Sequence, residues 1–157
     1  MKIFKRHRDY GFFDQDIRLS KLSELGDPLE KLNQGIDFEL FRPVLEQGLT
    51  KLPKGKGGRR PYDYVMMFKI LILQRYYHLA DDAMEYQICD RLSFMRFLNL
   101  TIADDVPDSK TVWAFRESLT DLGLIETLFD VFKQELARLN LIVKEGKIVD
   151  ASFIGHL

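Results

Sequence analysis

The sequence predicts an all-α fold: a helical bundle with a helix-turn-helix-like candidate unit and one β-strand near the C-terminus. Three observations lead there. Tyr64 to Tyr77 is apolar on almost every side, with only Lys69, Gln74 and Arg75 strongly polar, which marks a helix enclosed by its neighbours. Leu124 to Asn140 places Ile125, Leu128, Phe129, Phe132, Leu136 and Leu139 on one helical stripe. Only Lys147 to Ile154 changes to the period of a strand, rich in β-branched and aromatic residues.

Composition narrows the function classes. At 157 residues, 46% of them hydrophobic, the chain fits one domain with a real core. Charged residues make up 30% and balance to a net charge of −1, which excludes a protein coated in positive charge. A local basic patch remains the route to nucleic acid. The single Cys89 allows no internal disulfide and reads as a small core or boundary residue, in keeping with a reducing cytoplasm. The basic start (Lys2, Lys5, Arg6, Arg8) has no apolar h-region, so no secretory signal is expected, and no stretch reads as a membrane span.

In chain order, Met1 to Phe13 is a basic, aromatic arm without a clear period. Asp16 to Leu25 is helical, with Ile17, Leu22 and Leu25 on one side, and Gly26-Asp27-Pro28 ends it. Pro28 can open the next short helix, through Leu29 and Leu32 as far as Gly35. Phe38, Phe41, Leu45 and Leu49 form an amphipathic helix in which Pro43 is either a first-turn residue or a kink. Thr50 to Arg60 then breaks the composition, with three glycines, one proline, five cations and no acid. It reads either as a solvated linker or as a loop that follows a phosphate backbone, where glycine permits close approach and cations displace counterions. It is not a P-loop.

After the enclosed helix, His78 to Ala80 is a turn, and Asp81 or Asp82 is expected as an N-cap, with Glu85 in capping-box spacing from Asp82. Met84, Ile88 and Leu92, then Phe94, Phe97, Leu98 and Leu100, read as core. Asp104, Asp105 and Asp108 invite a metal reading, but their place before a helix start favours capping, with Asp108 or Ser109 as the cap. That helix, about Lys110 to Leu122, turns Val112, Phe115, Leu119 and Leu122 inward and Lys110, Thr111, Ala114, Arg116 and Ser118 outward. The outer set has the small and cationic groups of a major-groove surface, or those of any solvated helix. Gly123 stops it. A lone strand at Lys147 cannot satisfy its own backbone groups, so partners from outside this sequence are expected. No nucleophile elbow, C-x-x-C, zinc-binding H-E-x-x-H or dinucleotide fingerprint is present.

Three blocks carry a family likeness. GRRPYDYVMMFKILILQRYYHLADDAMEYQICDRLSFMRFLNL (Gly58 to Leu100), VPDSKTVWAFRESL (Val106 to Leu119) and LIVKEGKIVDASFI (Leu141 to Ile154) resemble the amino-terminal region of bacterial insertion-sequence transposases, in the group named after insertion sequence five. The resemblance implies a division into an arm with short helices (1–50), a basic glycine-rich loop (51–60), a helical core (61–143) and the start of an RNase-H-like catalytic domain (144–157). It implies that Asp150 is the first carboxylate of a DDE triad, whose other members fall outside this sequence. Such a triad holds two Mg²⁺ ions about 4 Å apart for in-line phosphoryl transfer. One carboxylate cannot do this, so no cleavage, and no Mg²⁺, is expected of these residues alone.

The implied partner is DNA, the terminal inverted repeats of the mobile element, in a cytoplasmic, nucleoid-associated protein able to form a homo-oligomer. Lys54, Lys56, Arg59 and Arg60 are the expected phosphate contacts, with Lys110 and Arg116 as groove candidates. The competing readings are a helical dimerisation module, a transposase remnant without function, and the upstream product of a frameshifted gene.

Overall fold

The computed structural model describes residues 1–50 and 61–152. In chain order they form α1 (Asp14–Leu25), α2 (Pro28–Gly35), a 3-10 turn (Phe38–Phe41), α3 (Arg42–Leu49), α4 (Tyr64–Tyr77), α5 (Asp81–Asp90), α6 (Leu92–Phe97), α7 (Ser109–Asp121), α8 (Ile125–Arg138), β1 (Leu141–Lys144) and β2 (Lys147–Asp150).

Helix α4 is the axis, with Val65 and every residue from Met67 to Gln74 buried, and Tyr76 after them. Its rings and those around it interlock: Phe68 meets Phe41 at 4.9 Å and Phe129 at 5.4 Å, and Tyr76 meets Phe132 at 5.5 Å. Aromatic pairs at these separations add to the apolar area they bury. The stripe of α8 therefore packs on α4, with Leu128, Phe129, Phe132 and Leu136 buried. One core runs from Leu29 to Ile148.

The two polar residues expected inside α4 are buried for different reasons. Lys69 donates to Asn33 Oδ1 at 2.9 Å and to the Phe97 carbonyl at 2.8 Å, with its ammonium over the Phe38 and Phe97 rings. It has no carboxylate partner among the described residues, and burial pushes its pKa down to about 8. Gln74 bonds Asp81 and Arg116.

Helix boundaries follow local chemistry. Asp27 caps α2 through the Leu29 amide at 3.0 Å, and Pro28 occupies the first turn, where its missing N–H costs nothing. Pro43 is likewise a first-turn residue of α3, not a kink. Asp63 caps α4 through the Met66 amide and is itself gripped by Arg42 at 2.7 Å. Helices α4, α6 and α7 end alike, with a left-handed residue (His78, Asn99, Gly123) and a backbone bond reaching back five residues.

Three expectations are corrected. Helix α1 forms, yet none of its residues is buried, and Ile17 and Leu25 are exposed. What ties it down is Arg96 on α6, which donates to the Leu19 carbonyl and to Ser23, and also pairs with Asp27 at 2.8 Å. Cys89 is exposed on α5. The strand finds a partner within the sequence: β1 and β2 pair antiparallel, Leu141 opposite Asp150 and Lys144 opposite Lys147. The two turn residues, Glu145 and Gly146, both have positive φ, the geometry that matches a two-residue turn to the twist of its strands. Strand β2 ends at Asp150, and positions 153–154 of the expected strand lie outside the described residues.

Candidate nucleic-acid interface

Helices α5, α6 and α7, the three that a helix-turn-helix-like unit would comprise here, do assemble. Helix α5 packs on both α6 and α7, and α7 lies against α4. Val112 and Leu119 anchor α7 in the core, while Asp108 caps it through the Thr111 amide at 2.8 Å. Of the acidic trio, Asp104 folds back onto the Thr101 amide and hydroxyl. Among the described residues no group of three His, Cys, Asp or Glu is arranged to hold a metal ion.

Neither Asp81 nor Asp82 caps α5, which starts without a side-chain cap at Ala80. Asp81 instead accepts both arms of Arg116, at 2.7 and 2.6 Å, and the Gln74 amide at 2.6 Å. This bidentate pair holds the Asp81 carboxyl below its ordinary range and the Arg116 guanidinium above its own, chiefly through their mutual hydrogen bonds. The outward placement expected for Arg116 is therefore corrected: its guanidinium is turned back across α7 to lock that helix to α4 and α5. A fixed carboxylate within reach outcompetes solvent as its partner. Sequence periodicity missed this contact because the partners lie 35 positions apart.

Lys110 is exposed and lines a shallow cavity together with Trp113, Asp81, Asp82 and Ser109. Trp113 is half exposed, as are few tryptophans in a solvated bundle, and Ala114 is exposed beside it. Lys54, Lys56, Arg59 and Arg60 lie outside the described residues. The residues flanking that segment are in place against the α7 region. A Cβ on Gly48 would meet the Leu124 side chain at 2.6 Å, and the Tyr64 ring stacks on Phe115 with centroids 6.4 Å apart.

Asp150 sits apart from this unit, at the end of β2. Lys31 Nζ on α2 donates to Asp150 Oδ2 at 2.7 Å, and Ser152 donates its amide and hydroxyl to Oδ1, at 3.0 and 2.7 Å. These donors, Lys31 first, hold its carboxyl well below the usual range. A groove of about 580 Å³ runs beside it, bounded by Leu25, Lys31, Lys144, Lys147, Val149 and Asp150. Among the described residues no other acids converge on Asp150, so they do not make a divalent-ion site here.

Fold and site define a helical domain that braces a candidate helix-turn-helix-like unit against a buried axial helix and closes on a hairpin carrying one restrained carboxylate. The chain belongs to the family described as transposase domain (DUF772), whose model matches residues 17–118. That span begins in α1 and ends in α7, so the hairpin and Asp150 lie beyond it. No solved structure matches the chain. No helix among the described residues is long and apolar enough to cross a membrane.

Proposed function

We propose that this domain binds DNA as the amino-terminal part of a DDE transposase of the insertion-sequence-five group, recognising the inverted repeats that end its element. The observation that carries the reading is the transposase-domain match over residues 17–118, which spans the whole of α2 to α6 and most of α7. Two features support it further. Lys110 and Ala114 remain on the solvent side of α7. Gly48 and Tyr64, described residues on either side of the basic segment in sequence, lie against Leu124 and against Phe115 of α7.

Lys54, Lys56, Arg59 and Arg60 carry the main phosphate contacts in this reading, because cations on a glycine-rich segment can follow the backbone closely. Lys110 contributes less, since Asp81 and Asp82 share its cavity. Arg116 acts through α7, as a positioning residue. Asp150 would belong to the DDE carboxylates, and Mg²⁺ to a complete cluster of them.

A gel-shift series over salt tests the reading. Binding with a steep salt slope, made shallower when the four loop cations become alanine, supports it; no shift at low salt sinks it. A helical self-association module is the second reading, favoured by the exposed Ile3, Phe4, Tyr10, Phe12 and Phe13 of the arm. Concentration-dependent association without a DNA shift would select it.

A further inference from the structure

The β1–β2 hairpin has a feature that its own stability does not explain. Lys144 and Lys147 are directly opposite each other across the turn, and both are exposed. Side chains directly opposite in an antiparallel pair share one face of the ribbon, and like charges there oppose pairing. Neither lysine has an ion-pair partner among the described residues, although Glu145 stands between them in sequence. A two-stranded ribbon is marginal on its own, so a repulsive pair at its closing turn is costly to keep without a counter-charge.

Three lysines and three acids line the groove beside this hairpin, and the partners they take decide its sign. Lys31, Lys144 and Lys147 all border the groove of about 580 Å³. Of its acids, Asp27 is nearly buried and neutralised by Arg96, and Asp150 is engaged by Lys31. Glu145 is the one remaining carboxylate on the groove wall, against the two unpaired lysines. The groove thus presents positive charge at its hairpin lip and leads to Asp150.

We infer that Lys144 and Lys147 form a second phosphodiester-contacting site, at the hairpin lip of the groove that runs to Asp150. The site rests on the DNA-binding reading above and extends it. Two ammonium groups on one face suit successive phosphates of a strand, each contact releasing condensed counterions. The loop cations and this lip would then hold one DNA at two separate places on the chain, the second beside the carboxylate.

The test uses the full chain, a fluorescein-labelled duplex carrying the element's terminal repeat, and anisotropy titrations at several salt concentrations. K144A/K147A is expected to bind several-fold more weakly, with a log–log salt slope shallower by about 2, near 0.9 per lost contact. K147E replaces a repulsive cross-strand pair by an attractive one, so its melting temperature should hold or rise while DNA affinity falls at least as far. That opposition of stability and binding distinguishes a site from a fold defect. If the wild type binds DNA and both variants keep its affinity and slope, the lip is a solvated turn; the inference fails while DNA binding through the loop stands. If the wild type binds no DNA, the inference falls together with the reading on which it rests.

Discussion

Lys31 and Asp150, 119 positions apart, meet at 2.7 Å and fasten the C-terminal hairpin to α2. The pair is partly open to solvent, so its effect belongs to local docking more than to global stability. Asp150, with its pKa depressed by Lys31 and Ser152, contributes above the ordinary carboxylate range and loses its contribution only as pH falls through the lowered value. Amide exchange in Ile142 to Val149 should therefore stay slow at mildly acidic pH in the wild type. In K31M it should quicken severalfold with little change in melting temperature. Unchanged exchange in K31M would show that the pair does not hold the hairpin.

Arg116 and Asp81 form the tie between α7 and α5, and each is about two-thirds or more shielded. Removing one partner strands a charge-assisted network that includes Gln74, so R116A should cost about 1–3 kcal/mol in urea unfolding. D81A/R116A should be less destabilised than the sum of the single variants. Additive effects would mean that the contact contributes little. Because Asp81 is held low, the tie persists down to acidic pH and weakens only below the normal carboxylate range.

Lys69 makes alkaline pH stabilising. Its folded pKa, about 8, lies below the ordinary 10.5, so between these values the unfolded chain binds a proton that the folded chain has released. Stability contributed by this group rises with pH across that window and is flat outside it. Tyr77 acts in the opposite sense: burial pushes its pKa up to about 12 from 10.0, so stability falls as pH climbs through that range. Unfolding free energy measured from pH 7 to 11 should rise and then turn over near about pH 10. K69M should abolish the rise at little cost, since Asn33 still donates to the Phe97 carbonyl. A flat wild-type profile between pH 8 and 10 would contradict this.

Phe132 is fully buried, and its ring meets Phe38 at 6.4 Å and Tyr76 at 5.5 Å. Cutting it to alanine leaves a cavity that three packed helices cannot close, so F132A should lose about 3–5 kcal/mol. A chemical-denaturation midpoint close to that of the wild type would show that α8 is not part of the cooperative core.

The sequence by itself determined what local periodicity and local capping control. The all-round apolarity of Tyr64 to Tyr77 marked the buried axis, and the stripe from Ile125 to Leu139 marked the helix that packs on it. Pro28 and Asp108 stand where their chemistry expects them, at helix starts. These features depend on neighbours three or four residues away, which the order of residues states directly.

Tertiary structure alone decided which partners Asp81, Arg116 and Lys31 took. Asp81 had a nearby amide to cap, but folding brought it a guanidinium, and a bidentate charged partner outweighs a single cap bond. The Arg116 guanidinium thereby turns toward α4 and α5, although its side chain stays partly exposed. Leu141 to Lys144 supplied the strand partner that seemed missing, because a tight turn at Glu145 and Gly146 pairs backbone groups that would otherwise go unsatisfied. The meeting of Lys31 with Asp150, and the lysine pair beside it, depend on how α2 and the hairpin pack across the core. Contacts between residues so far apart along the chain are set by packing geometry, which no local pattern encodes.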